Sequence, residues 1–232
     1  VNVLTVLSYH KLQDVNKLKE TLETLQKENP AAVSRVPDVI PAWLGLQAYG
    51  MKDLETADKY MTWATQNDQL QNVKKVIWRN LAKVRLALKK YDRALVASNN
   101  FLKVEDQPYR RADGMLDKAS ILLGLGKYAE ARKTAEEALA LGVEGPLMAS
   151  LKIVLGDISY AEKKFDEAAK HYGVTAELFV NDAELKPKAL FKAAEALDKA
   201  GRKSEASQYR ARLQKEFPDW KQEGESLPPD AR

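Results

Sequence analysis

The side chains able to do chemistry are few. His10 and His171 lie far apart in the 232 residues, and neither has a second ligand at a metal-binding spacing such as His-Glu-x-x-His, so no metal site is expected. The absence of cysteine excludes disulfides, thiolate nucleophiles and cysteine-bound metals. A Ser-His-Asp hydrolase needs a serine on a prepared turn, and no Gly-x-Ser-x-Gly elbow occurs. The glycines of "GLGKY" lack both the preceding strand and the following Lys-Ser/Thr of a phosphate-binding loop. Glu136 and Glu137 sit among lysines on a face expected to be solvated. The sequence therefore points away from an enzyme and away from any cofactor.

What remains is charge laid out along a helix. Residues 74 to 93 hold eight basic residues, Lys74, Lys75, Arg79, Lys83, Arg85, Lys89, Lys90 and Arg93, against the single acid Asp92. Lys75, Arg79 and Lys83 are four residues apart and so form a stripe on one helical face. Such a stripe suits an acidic peptide or a terminal carboxylate, with arginine giving the bidentate contact. Alternatively, Asp113 and Asp117 neutralise Arg79 and Lys83 as ion pairs. A third reading, an anionic nucleic-acid or membrane surface as partner, rests on this segment alone. Elsewhere the signs are interleaved, so the net charge of +4 and pI near 9.0 give no reason to expect nucleic acid.

These residues need elements to position them, and composition supplies the class. With 45% apolar residues, abundant Ala, Leu, Lys and Glu, and only 11 Gly and 9 Pro, the chain reads as all-α with a sizeable core. No apolar stretch approaches the roughly 20 residues that cross a bilayer. The opening "VNVLTVLSYHKL" reads as a helix already under way, which leaves room for an upstream export signal or anchor.

The organisation is repetitive. A Gly-x-Tyr-x-x-Ala pattern in "GKYAEA" has partial copies in "MKDLETA", "LKKYDRA", "EKKFDEA" and "GRKSEA", ending at Ala57, Ala94, Ala131, Ala168 and Ala206. Those alanines are 37, 37, 37 and 38 residues apart, the signature of stacked supersecondary units. Twelve residues before each stands another small residue, Gly45, Ala82, Ala119, Gly156 or Ala194. Each pair predicts two helices crossing closely on either side of a tight turn, with Leu54, Tyr91, Tyr128 or Phe165 after the turn and Lys203 breaking the pattern in the last copy.

At this point the chain resembles the tetratricopeptide repeat family. The resemblance rests on Trp78, on the pairs in "WLG", "NLA" and "VLG", on the turn aromatics and the paired alanines, and on Pro218, twelve after Ala206. Pro30 suggests a degenerate first unit. The period of 37 exceeds the family's usual 34, and Lys118 interrupts the Leu-small pair. The resemblance implies a right-handed α-solenoid superhelix of about six hairpins over 1–220, with units near 1–30, 38–70, 75–107, 112–144, 149–181 and 187–219, and a polar tail over 221–232. Trp220 is expected to cover the end of the stack.

The resemblance also implies a concave surface lined by the first helix of each unit. Positions facing it are Val39, Trp43, Leu46 and Tyr49; Lys75, Arg79, Asn80 and Lys83; Asp113, Leu116, Asp117 and Ser120; Ile153, Asp157 and Tyr160; and Lys188, Phe191 and Glu195. The implied function is a non-catalytic scaffold holding a peptide or helix of another protein, with Tyr49, Leu46, Trp43, Lys75, Arg79, Asn80, Lys83 and Tyr160 as its contacts. A lysine and asparagine clamp on a terminal carboxylate is not expected, because Ala42 and Leu46 stand where it needs polar residues. The rival function is self-assembly into a homo-oligomer. The closing segment is similar to terminal repeats of bacterial cell-envelope members, and both that compartment and the cytoplasm stay open.

Overall fold

The computed structural model describes residues 1–66, 71–179 and 182–221. The expected tail therefore lies, after Lys221, outside the described residues. Among the described residues every regular element is a helix: α1 (Val3–Lys11), α2 (Val15–Glu28), α3 (Pro30–Val33), α4 (Val39–Gly50), α5 (Leu54–Ala64), α6 (Gln71–Ala87), α7 (Tyr91–Val104), α8 (Pro108–Gly124), α9 (Tyr128–Ala140), α10 (Gly145–Ala161), α11 (Phe165–Leu178), α12 (Leu185–Lys199) and α13 (Lys203–Glu216). They fall into two compact units, Val1–Glu105 and Asp106–Arg232. Each unit stacks three helical hairpins in the solenoid manner: α1/α2, α4/α5 and α6/α7 in unit 1, α8/α9, α10/α11 and α12/α13 in unit 2.

Every hairpin turns in the same way. The second residue after the first helix adopts positive φ at Gln13, Lys52, Lys89, Gly126, Lys163 and Gly201. That geometry lets two N–H groups reach back and close the helix end, as Lys52 N–H does to Tyr49 O at 3.0 Å and Asp53 N–H to Ala48 O at 2.9 Å. Gly126 plays the helix-ending part expected of it, but lysine takes the same conformation in three other hairpins. The next helix is then capped in unit 1 by Asp14 and Asp53, whose carboxylates accept the N–H of Lys17 and Thr56. The opening helix is capped as well, since Asn2 Oδ1 accepts Thr5 N–H at 3.0 Å.

The five repeat alanines, Ala57, Ala94, Ala131, Ala168 and Ala206, are all fully buried. Their small partners sit at the crossing: a Cβ on Gly45 would stand 2.7 Å from Met61 Cγ, and one on Gly156 would stand 2.4 Å from the Tyr172 ring. Polar ties then link one hairpin to the next at sequence separations of 34 to 36 residues. In unit 1 Lys59 pairs with Glu23, Lys19 with Asp53, and Lys90 with Glu55. The buried Asp58 accepts Arg85 Nε at 2.8 Å and Lys90 Nζ at 3.0 Å; burial raises its carboxyl pKa, but these two donors win and hold it below the ordinary range.

In unit 2 Arg132 reaches Glu162, Glu167 and the Ser159 hydroxyl, and Arg202 pairs with Asp166. Lys192, 4% exposed, is held by Asp157 at 2.7 Å, and the Tyr172 hydroxyl donates to the same carboxylate at 2.6 Å. His171 lies beside Glu167 at 3.7 Å, and burial, with Arg132 and Lys152 nearby, pulls its pKa below the ordinary value against the opposing pull of Glu167.

Two stability predictions follow from the packing. Gly156→Ala forces a methyl into the buried Tyr172 ring and should destabilise by about 1–3 kcal/mol, whereas Gly50→Ala, with open space at its Cβ, should be neutral or stabilising by up to about 1 kcal/mol; urea unfolding followed by circular dichroism separates them. His171 is depressed in the folded state, so its contribution is present above the unfolded imidazole pKa and is lost as pH falls through and below it. Stability should drop between about pH 7.5 and about pH 5.5, and His171→Gln should flatten that drop.

Candidate functional site

Unit 1 places its three first-of-hairpin helices, α1, α4 and α6, in one layer. Helix α4 packs on α6, and α1 meets α4 through His10, whose ring stands edge-on to Trp43 at 5.3 Å. Aligned on the turn residues Gln13, Lys52 and Lys89, equivalent positions form rows across the layer. Val39 and Val76 make one row; Leu4, Trp43 and Asn80 the next; then Leu7, Leu46 and Lys83; then His10, Tyr49 and Leu86. A residue every three or four along a helix returns to one face, so these rows share a side.

That side is unusually apolar. Leu4 is 71% exposed, Val76 49%, Val39 43% and Leu7 38%, with Trp43, Leu46, Tyr49 and Leu86 half-buried among them. Helices α1, α4 and α6 themselves contain no Asp or Glu, while they carry Lys11, Lys74, Lys75, Arg79 and Lys83 besides the buried Arg85. None of Lys74, Lys75, Arg79 and Lys83 is a free cation; each already has an interaction, Lys75 with the buried Glu105 at 3.9 Å. Such a surface offers apolar anchoring positions beside basic side chains. Among the described residues no group of three or more His, Asp or Glu could hold a metal ion.

The structure brings seven of the eight expected contacts into this one layer. Trp43, Leu46 and Tyr49 lie on α4, and Lys75, Arg79, Asn80 and Lys83 on α6, all half-buried. Trp43 also packs against the unit 1 core, so it is anchored as well as presented. The Asn80 amide donates to its own helix at Val76 O, 2.9 Å away. Tyr160 departs from the expectation. It belongs to unit 2 and is only 4% exposed, because its ring turns onto Phe165 at 5.2 Å in an edge contact and joins the core there.

Unit 2 presents a different layer on α8, α10 and α12. Its face positions carry Asp113, Asp117, Asp157 and Glu195 with Lys188 and Lys192, and Ile153 is buried. Asp157 and Lys192 are spent on each other, and the Trp220 ring lies against Phe191 at 5.7 Å. Leu4, Leu7 and Val76 were not among the expected contacts. The first turn lies 39 residues before the second rather than 37, and its hairpin lacks the Gly-x-Tyr-x-x-Ala pattern, so only alignment on the turn reveals Leu4 and Leu7.

Comparison with known proteins gives a consistent picture. Residues 116–179 match the family described as Tetratricopeptide repeat. No curated protein sequence matches. Among solved structures, BtubC (BKLC) from P. vanneervenii is similar with a TM-score of 0.64 at 18% identity, covering 98% of both chains. PilF of Pseudomonas aeruginosa gives 0.58 at 17% identity, covering 94% of this chain and 91% of its own. A Rap protein solved in complex with competence and sporulation factor gives 0.65 at 16% identity, covering 90% of this chain and 62% of its own. At these identities the likeness is one of fold.

Surface and core roles on the unit 1 layer separate by stability. Leu4→Ser and Val76→Ser should change unfolding free energy by less than about 0.5 kcal/mol, and Trp43→Ala should cost about 3 kcal/mol or more; urea titrations of the three variants check this.

Proposed function

We propose, from the premise that this chain is a tetratricopeptide-repeat protein, that it is a non-catalytic scaffold whose unit 1 layer holds a peptide or helix of a partner protein. The carrying observation is the coincidence, on one set of adjacent helices, of exposed apolar side chains with a complete absence of acidic ones. Monomeric proteins rarely leave contiguous apolar surface uncovered without using it. An apolar strip beside positive charge selects a ligand with apolar anchors and acidic neighbours. Tyr49, Leu46 and Trp43 supply the anchoring surface, with Leu4, Leu7 and Val76 extending it, and Lys75, Arg79, Lys83 and the Asn80 amide supply the polar edge. Aromatic residues at such a centre concentrate binding energy.

The Rap neighbour, solved with a bound factor, supports the general reading. The scarcity of paired catalytic groups supports a scaffold over an enzyme. Among the described residues no helix is long and apolar enough to cross a membrane.

The test is affinity capture from the source cells with the whole chain, an Arg79→Glu, Lys83→Glu variant and a Leu46→Ser, Tyr49→Ser variant as baits, each first shown to melt normally. Partners retained by the whole chain and lost from both variants are expected. Identical capture by all three baits removes the unit 1 layer from the binding site.

A further inference from the structure

The first and last helices face solvent with opposite chemistry. On α13 Ala211 is the one apolar residue among the exposed ones, which is the polar outer side that a stack of hairpins needs where it stops. On α1 the reverse holds. At 100° per residue Leu4, Ser8 and Leu12 make one row along the helix, Leu7 and Lys11 make the row beside it, and all five are exposed. Leu4 is 71% exposed and Leu12 72%. Leu12, the C-cap, keeps helical backbone angles and so continues its row. The opposite side of α1 is spent on the core, where Val6 is buried and Val3 and Tyr9 pack against it. We propose that the outer face of α1 pairs with the same face of a second copy of this chain, the two helices running antiparallel about a two-fold axis at Ser8.

Three observations select a second copy as the occupant. First, the row is self-complementary. A two-fold axis at Ser8 sets Leu4 of one copy against the partner's Leu12, and Leu12 against the partner's Leu4. Ser8, small and central, lets the two backbones approach, as small residues do at the hairpin crossings. Its hydroxyl already donates to Leu4 O at 2.9 Å, so covering it strands no donor. Second, charge does not oppose the contact. Helix α1 holds no Asp or Glu, and each copy brings the single lysine Lys11 to the face. Lys11 stands three residues beyond the axis, so the two ammonium-bearing residues sit about 9 Å apart along the helices, near the distance over which salt screens them. His10 points the other way, onto the Trp43 ring.

Third, α13 of another copy is a poor cover for α1, because its polar outer side offers no apolar row for Leu4 and Leu12. The symmetric contact is therefore favoured over head-to-tail stacking, and it uses each face up, so assembly stops at the dimer. The face is small. From Leu4 to Leu12 the row is about 12 Å long. Such a strip falls short of the roughly 800 Å² per partner of a standard interface, so the pairing is weak, with an expected Kd of about 0.1 mM. Leu12 lies off the unit 1 layer, and Trp43, Leu46 and Tyr49 take no part in the pairing. The dimer thus goes beyond the scaffold reading, and Leu4 and Leu7 are what the two surfaces share.

The experiment is sedimentation equilibrium on the whole chain and on Leu12→Lys, from well below to about tenfold above the expected Kd. The mass of the whole chain should climb from the monomer toward twice that value and level there, while Leu12→Lys stays at the monomer and melts at the same temperature. The chain contains no cysteine, so a single introduced thiol gives a second readout. Under mild oxidation Ser8→Cys should form a disulfide-linked dimer at least about tenfold faster than Ser204→Cys, whose thiol stands on the exposed polar side of α13. A whole chain that stays monomeric, a mass that passes the dimer, a Leu12→Lys variant that associates like the whole chain, or equal crosslinking of the two cysteine variants overturns the proposal. Vesicles of phosphatidylcholine and phosphatidylserine are the last arm. A monomeric chain that sediments with them, and loses this in Leu12→Lys, assigns the face to lipid and overturns self-pairing.

Discussion

Two helices joined by a tight turn can lie against each other only where no side chain stands between their backbones, and this steric condition governs the rest of the molecule. At Gly45 and Gly156 the partner side chain, Met61 or Tyr172, occupies the space that a Cβ would need. At the other end of the contact, in the five hairpins from α4/α5 onward, a fully buried alanine lets the second helix approach. Once both crossing points are set twelve residues apart, the turn between them has no freedom in length. Its closing geometry, with one residue at positive φ, then recurs in all six hairpins. The constant repeat in turn places charged residues of successive hairpins opposite each other. That is why ion pairs such as Lys90 with Glu55, Arg132 with Glu167 and Lys192 with Asp157 all span 35 residues.

The parts of this design that were legible in the sequence are those where sterics leaves only one or two residue types. Ala57, Ala94, Ala131, Ala168 and Ala206 announce themselves because nothing larger fits, and five of the six hairpins follow by counting. The turn residue is less visible. Glycine is the favoured occupant of positive φ, yet Lys52, Lys89, Lys163 and Gln13 hold that conformation at some cost in backbone energy. The first hairpin hides for a related reason: Val6 stands where later hairpins have glycine or alanine, so its position on the layer emerges only from the turn. The partners of single basic residues were harder to read. Arg85 looks like one more member of a basic run, but it is buried against Asp58 and serves the core. Tyr160 has the spacing of a surface residue, and only the ring of Phe165 beside it explains its burial.

The same scaffold therefore yields two different layers, and the difference lies in what each does with its polar positions. In unit 2 a buried lysine on the layer requires a buried carboxylate, since an unpaired charge in that setting would be prohibitive. Lys192, Asp157 and the Tyr172 hydroxyl answer one another, which strengthens the contact between α10 and α12 and leaves those groups occupied. Unit 1 solves its burial elsewhere, in the Asp58, Arg85 and Lys90 cluster between α5, α6 and α7. Its layer joins the stack through Trp43 and leaves Leu4, Leu7, Val39 and Val76 exposed, and those side chains answer to a different constraint.

That constraint is solubility set against recognition. Leu4 at 71% exposure and Val76 at 49% gain nothing for the fold where they stand, and serine or lysine in their place would suit an unliganded surface better. On the proposed reading an occupant covers this apolar row. Helices α1, α4 and α6 contain no Asp or Glu, and Lys74, Lys75, Arg79 and Lys83 already have interactions of their own. On the proposed reading, then, the apolar rows are what a ligand has to cover, and the basic residues at their edge add polar contacts only where their present interactions leave room.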